Sequence, residues 1–162
     1  DARRQDYAKG LETASLQGVR IGVLRWATGW STPVDAAFER ALETLRAQGA
    51  VLVDIKEGPD RQAISKAEFQ VLLSEFKAGV NAYLATTPPA VKTRTLADVI
   101  AFNKADAARS LGLFGQDLLE KAEATKGLDD PVYKEARAAS LKGASDAIST
   151  MLATADVEAL VA

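Results

Sequence analysis

Arg20-Ile-Gly-Val-Leu-Arg25, Ser31-Thr-Pro-Val-Asp35 and Val51-Leu-Val-Asp-Ile55 are the three runs that decide the fold. The first is a compact apolar segment bounded by polar residues, the pattern of a strand buried on one or both faces. The second announces a helix. A Thr32 side chain can accept from the free amides, Pro33 at the first helical position needs no donor, and Asp35 completes a capping box. Val34, Ala37, Phe38, Ala41, Leu42 and Leu45 then share one helical face, Glu39, Arg40, Glu43 and Arg46 lie largely on the other, and Gly49 ends the helix. The third run is a second strand. Residues 19–56 therefore read as a right-handed βαβ crossover with two parallel strands, which puts the chain in the α/β class with helices against a sheet.

Working outward, residues 1–18 show no sustained period and read as a surface loop. Beyond the second strand, residues 65–153 read as a helical block. Ser65-Lys-Ala-Glu68 is a further capping box, followed by one apolar stripe of Phe69, Leu72, Leu73, Phe76, Val80, Tyr83 and Leu84, and Pro88-Pro89 terminates that helix. Thr95-Leu-Ala-Asp98 opens another helix with Leu96, Val99, Ile100 and Asn103 on one side, and a shorter one runs from about Gln116 to Ala124. Asp130-Pro131 caps and starts the last, whose face of Tyr133, Ala136, Ser140, Ala144, Ile148, Met151 and Leu152 is rich in small residues that let a neighbouring backbone approach. Residues 157–162 form an apolar run that stops as a strand would be starting. With the loop-like beginning and no start Met, this gives the expectation of one domain, 1–162, that is a piece of a longer chain.

The 162 residues suffice for a domain burying roughly two thirds of its unfolded surface. A formal charge of −2, with acids and bases interspersed, offers no polycationic face for nucleic acid or an anionic membrane. No run approaches the length of a membrane span, and no apolar signal core is present; the compartment, cytoplasmic or periplasmic, stays open. The absence of Cys removes thiol catalysis and thiolate metal ligation from this chain, and the absence of His removes a Ser-His-Asp triad and the usual zinc sites.

Few residues are left to carry chemistry. Between the first strand and its helix stands Trp26-Ala-Thr-Gly29-Trp30-Ser-Thr-Pro33, with one Gly where a dinucleotide fold would need G-x-G-x-x-G, so no cofactor is expected. Trp26 and Trp30 follow a strand, where open α/β sheets place ligand sites, although two indoles in a loop also serve plain packing. Asp129-Asp130 and Glu120 with Glu123 could be imagined as metal ligands. Asp130 is explained as a cap, however, and the two Glu as an exposed face shared with Lys121 and Lys126. Ser140 and Lys142 sit two apart on a helix and point in different directions. No nucleophile and no metal site can be nominated.

Glu75-Phe-Lys77, Asn81-Ala-Tyr-Leu84, Arg94-Thr-Leu-Ala-Asp-Val-Ile-Ala-Phe-Asn103 and Phe114-Gly-Gln116 occur together and in order. They are accompanied by Asp6-Tyr7, Leu16-Gln-Gly-Val-Arg-Ile-Gly-Val23, Val34-Asp-Ala-Ala-Phe38, Gly49-Ala-Val-Leu-Val-Asp54, Glu120-x-Ala-Glu-Ala-Thr125, Leu128-Asp-Asp-Pro-x-Tyr133 and Ala159-Leu-Val-Ala162. The set resembles the amidase signature hydrolases over nearly the whole chain, with the bacterial peptide amidase-like branch the most similar.

That resemblance implies a parent enzyme that hydrolyses a carboxamide through an acyl-enzyme, with a Ser nucleophile, a second Ser and a Lys, and no metal or cofactor. The Gly/Ser-rich loop that carries the nucleophile is not in this sequence. The resemblance therefore places the chain downstream of the catalytic Ser-Ser-Lys core, as a part that completes the sheet and shapes the substrate cleft. Its implied partners are the amide substrate and the rest of the amidase core, with self-association of the isolated piece. By the same analogy Phe114 and Gln116 face the cleft with Asn103 behind them, and Trp26 and Trp30 are further cleft candidates. The competing readings are a non-catalytic α/β binding or scaffold module and a nucleotide-dependent enzyme built on the βαβ unit.

Overall fold

The computed structural model describes Asp6 and residues 8–162; Tyr7 and the first part of the loop expected over 1–18 lie outside the described residues. Three strands, β1 (Arg20–Leu24), β2 (Val51–Ile55) and β3 (Ala159–Val161), form an all-parallel sheet in the order β2-β1-β3. The helices are α1 (Thr32–Ala47), α2 (Arg61–Ala85), α3 (Leu96–Ala105), α4 (Ala107–Ser110), α5 (Asp117–Glu123) and α6 (Pro131–Ala155). The fold is α/β and mostly helical, as the sequence led one to expect; α4 and the 3-10 turns Leu11–Thr13 and Arg25–Ala27 carry no sequence signal that had been read. The chain divides into two compact units, Asp1–Pro59 with Asp146–Ala162 and Asp60–Ser145.

In the first unit, β1 is central. Its register sets Ile21 beside Leu52 and Ala159, and Val23 beside Asp54 and Val161. Ile21 and Val23 are buried and Leu42 of α1 is fully buried, which is where the apolar faces of strand and helix were expected to meet. Arg20 sends the last element into place. Its guanidinium donates to the carbonyls of Ala155 and Asp156, closing the end of α6, while its own carbonyl accepts from Glu158 N at 2.8 Å.

The start of α1 differs from the capping box expected at Thr32. Ser31 occupies the cap without a side-chain hydrogen bond, and Thr32 and Pro33 are already helical. The Asp35 carboxylate that was to close the box accepts from Gly29 N at 2.9 Å instead. The helix also turns a narrower face inward than its period implied: Phe38, Leu42 and Leu45 are shielded, while Val34, Ala37 and Ala41 are exposed.

In the second unit, Leu73 of α2, Leu96 and Ile100 of α3 and Ala122 of α5 form the core, with Val80 and Leu119 packed against it. α2 begins four residues before the expected Ser65 box. Asp60 caps it, its carboxylate accepting from the Gln62 and Ala63 amides at 3.1 and 3.3 Å, so Ser65 and Glu68 lie inside the helix. The broad stripe expected on α2 splits: Leu73, Val80 and Leu84 turn inward, and Phe69, Leu72, Phe76 and Tyr83 do not.

Two predicted helix starts are reproduced. Thr95 and Asp98 form the capping box of α3, and Asp130 Oδ1 accepts from Val132 N at the start of α6. The expected inward face of α6 holds at Tyr133, Ala136, Ser140, Met151 and Leu152, which are shielded, but not at Ala144 and Ile148, which are exposed while Gly143 and Ala147 are shielded in their place. A Cβ on Gly143 would meet Ile64 Cγ1 at 3.1 Å, so the small residue there is a contact requirement.

Candidate functional site

Parallel strands bring their carboxyl ends to one edge, and ligands of open α/β sheets collect there. After β1 that edge is built by a short, heavily bonded loop. Arg25 donates to Asp54 at the end of β2, at 2.8 Å, and to Glu39 of α1. These two hydrogen bonds, Asp54 first, hold its guanidinium above even the ordinary high range for Arg. The cation is thus spent on fastening the loop to strand and helix.

Trp26 lies half-buried against Gly58, where a Cβ would come within 2.6 Å of the indole, so close packing of ring on backbone is why a Gly stands there. Thr28 Oγ1 donates to Arg25 O at 2.9 Å, and Gly29, at φ +94°, turns the chain so that its amide meets Asp35. Trp30 is different from Trp26. Its Nε1 donates to Ala27 O at 3.2 Å, yet the ring is 79% exposed. The loop therefore fixes one indole as packing and presents the other to solvent.

In the second unit, Asn103 of α3 and Gln116 at the start of α5 are brought together. Asn103 Nδ2 donates to Gln116 Oε1 at 3.1 Å, and Gln116 Nε2 donates to Ile100 O at 3.2 Å. Gln116 is buried and Asn103 half-buried. The pair ties α3 to α5 and holds the foot of the segment 111–116, from whose crest Leu113 and Phe114 project with 95% and 78% of their surface exposed. Phe114 lies in a run marked by the sequence, whereas Leu113 beside it carries no such signal.

The segment Glu75-Phe-Lys77, singled out by its sequence, fastens α2 to two helices. Glu75 accepts from the Tyr133 hydroxyl at 2.8 Å, and this hydrogen bond above all, with burial and the carboxylate charge, raises the phenol above its ordinary 10.0. Lys77 Nζ donates to the carbonyls of Glu123 and Thr125 at 2.6 and 3.0 Å and pairs with Glu123 Oε1 at 3.1 Å, satisfying the carboxyl end of α5. Glu123 is accordingly half-buried and paired with Lys77, where an exposed position beside Lys121 and Lys126 was expected. Glu120 pairs with Lys104 and Asp129 with Lys134. Among the described residues no three acidic side chains come together as metal ligands, and no helix is long and apolar enough to cross a membrane.

Comparison with solved structures gives matches over nearly the whole chain. The native peptide amidase from Stenotrophomonas maltophilia is 42% identical, with a TM-score of 0.74, covering 90% of this chain and 29% of that one. A peptide amidase in complex with the competitive inhibitor chymostatin is also 42% identical, with a TM-score of 0.77 and the same two coverages. An amidase family protein from Bacillus anthracis is 29% identical, with a TM-score of 0.69, covering 99% of this chain and 30% of that one. The chain thus has the α/β fold of an amidase segment and spans under a third of the length of these proteins. No protein-family model and no curated protein matches it.

Proposed function

We propose that this chain is a part of an amidase that cuts carboxamide C–N bonds, the part that completes the sheet and walls the substrate cleft without holding a bond-breaking group. The observation that carries the reading is the 42% identity to peptide amidase across 90% of the chain. In the parent enzyme a Ser attacks the amide carbonyl, ammonia or an amine leaves with the proton relayed through a second Ser and a Lys, and water then hydrolyses the acyl ester. The sequence without a Gly/Ser-rich nucleophile loop supports placing those groups elsewhere in the parent. A peptide amide, such as the one at a peptide C-terminus, is the proposed substrate class, supported by the similarity to peptide amidases.

Within this reading the Leu113-Phe114 crest of the second unit offers exposed apolar surface to substrate, and Trp30 is a separate candidate within the first unit. Gln116 and Asn103 act one layer behind Phe114, as the support of its segment. Trp26 supports Trp30 in the same way, by seating the loop on Gly58.

The test is a chimera: Stenotrophomonas peptide amidase with its matching segment replaced by this chain, assayed for ammonia release from a peptide amide, next to the isolated chain. The chimera is expected to release ammonia and the isolated chain to release none. A soluble, folded chimera without activity, or amide hydrolysis by the isolated chain, would sink the proposal.

A further inference from the structure

Residues 69, 72, 76, 79 and 83 of α2 are separated alternately by three and four positions, the spacing of a helix seam that packs against a second helix. Phe69, Leu72, Phe76 and Tyr83 on that seam are 42%, 56%, 42% and 69% exposed, although the same helix buries Leu73 on its inner side. The fifth position is Gly79, and a Cβ built there meets nothing within 4 Å. A Gly in a helix interior costs stability, and no neighbour among the described residues explains it. At the middle of an apolar seam it does have a use, because it lets another backbone approach closely.

We infer that this seam is the seat of an α-helix from the remaining part of the amidase polypeptide, an inference that rests on the reading above. The spacing asks for a helix and not a strand or a flat ligand, since every second contact lies seven residues, about two helical turns, along, the repeat of a helix-on-helix seam. The similar amidases devote more than two thirds of their length to chain that has no counterpart here, which supplies the occupant. Area argues against a second copy of this chain. At 150–250 Å² for a whole aromatic side chain, the exposed parts of the four residues amount to roughly 400 Å², about half of what one partner contributes to a stable complex. A surface of that size suits a contact inside one polypeptide, where linkage removes the cost of association.

The test is Leu72→Glu with Phe76→Glu, made both in the isolated chain and in the active chimera. In the isolated chain Leu72 and Phe76 keep 56% and 42% of their surface in water, so the urea midpoint should fall far less than for a buried substitution such as Leu73→Glu. In the chimera the two carboxylates would be buried without partners, and soluble activity should be lost. Activity retained in the doubly substituted chimera overturns the inference while leaving the amidase reading intact, and an inactive parent chimera removes both. A fall in the urea midpoint of the isolated chain as large as that caused by Leu73→Glu would mean that the seam is already covered. Self-association of the isolated chain abolished by the substitution would make a second copy the occupant, and either result also overturns it.

Discussion

A buried primary amide must find partners at both ends or cost stability, and Gln116 finds them in Asn103 and the Ile100 carbonyl. Replacing Gln116 by Leu keeps the volume near that of the amide but leaves the Ile100 carbonyl and the Asn103 amide without their partner. A loss of about 1–3 kcal/mol in urea unfolding is expected. Asn103→Ala should cost less, because Asn103 is only half-buried and water can reach the Gln116 oxygen. Equal stability of wild type and Gln116→Leu would show that the network does not hold α3 to α5. Residue identity made both positions visible in the sequence, through the short runs they end, but not their pairing. A polar contact across thirteen positions has no period, so nothing in the pattern of Asn103 announces Gln116. The same holds for Tyr133 with Glu75 and for Lys77 at the end of α5, whose partners lie on helices distant in sequence.

At the scale of elements, what was legible is what folds from its own neighbours. The box at Thr95 and Asp98 and the cap at Asp130 are complete within four residues, and both occur as read. The misread starts had a competitor close by. Asp35 is drawn to the Gly29 amide, which the left-handed turn at Gly29 aims at it, and Asp60 caps α2 before Ser65 is reached. On α6 the expected face advanced by four at each of three successive steps. Each such step overshoots a 3.6-residue turn, so the period lands on Ala144 and Ile148 where Gly143 and Ala147 turn inward. The α3 box also makes a pH prediction. Asp98 accepts from the Arg94 and Thr95 amides at 2.8 and 3.0 Å, and the Arg94 bond first of all lowers its pKa below the ordinary 3.8. Its folded pKa is the lower one, so the stabilisation is present above pH 3.8 and fades as pH falls through the folded value. Asp98→Ala should therefore be less stable than wild type at neutral pH, with a gap that narrows in acid below pH 3.8, followed by helical circular dichroism during urea titration. A gap that stays constant down to pH 2, about two units below the usual carboxylate range, would assign the effect to packing instead of the cap.

For the whole molecule, the sheet has three strands and therefore two outer edges, and neither β2 nor β3 pairs with anything but β1 among the described residues. Such an edge offers a row of free amides and carbonyls to any other strand. β2 is the more exposed hazard of the two: it is five residues long against three for β3. Val51, at its start, leaves 43% of its surface in water, and no Lys or Pro stands within the strand to discourage pairing. In a complete amidase sheet an edge of this kind can be covered. In the isolated chain it should pair with a second copy, giving a weight-average mass that rises with concentration in light scattering. Val51→Lys places a charge at that edge without removing a ladder bond, since Val51 N donates to Val19 O through the backbone. The substituted chain should stay monomeric at concentrations where the wild type associates, with an unchanged urea midpoint. Association that persists in Val51→Lys would clear the β2 edge and leave β3, which a Lys at Ala159 would then test in the same way.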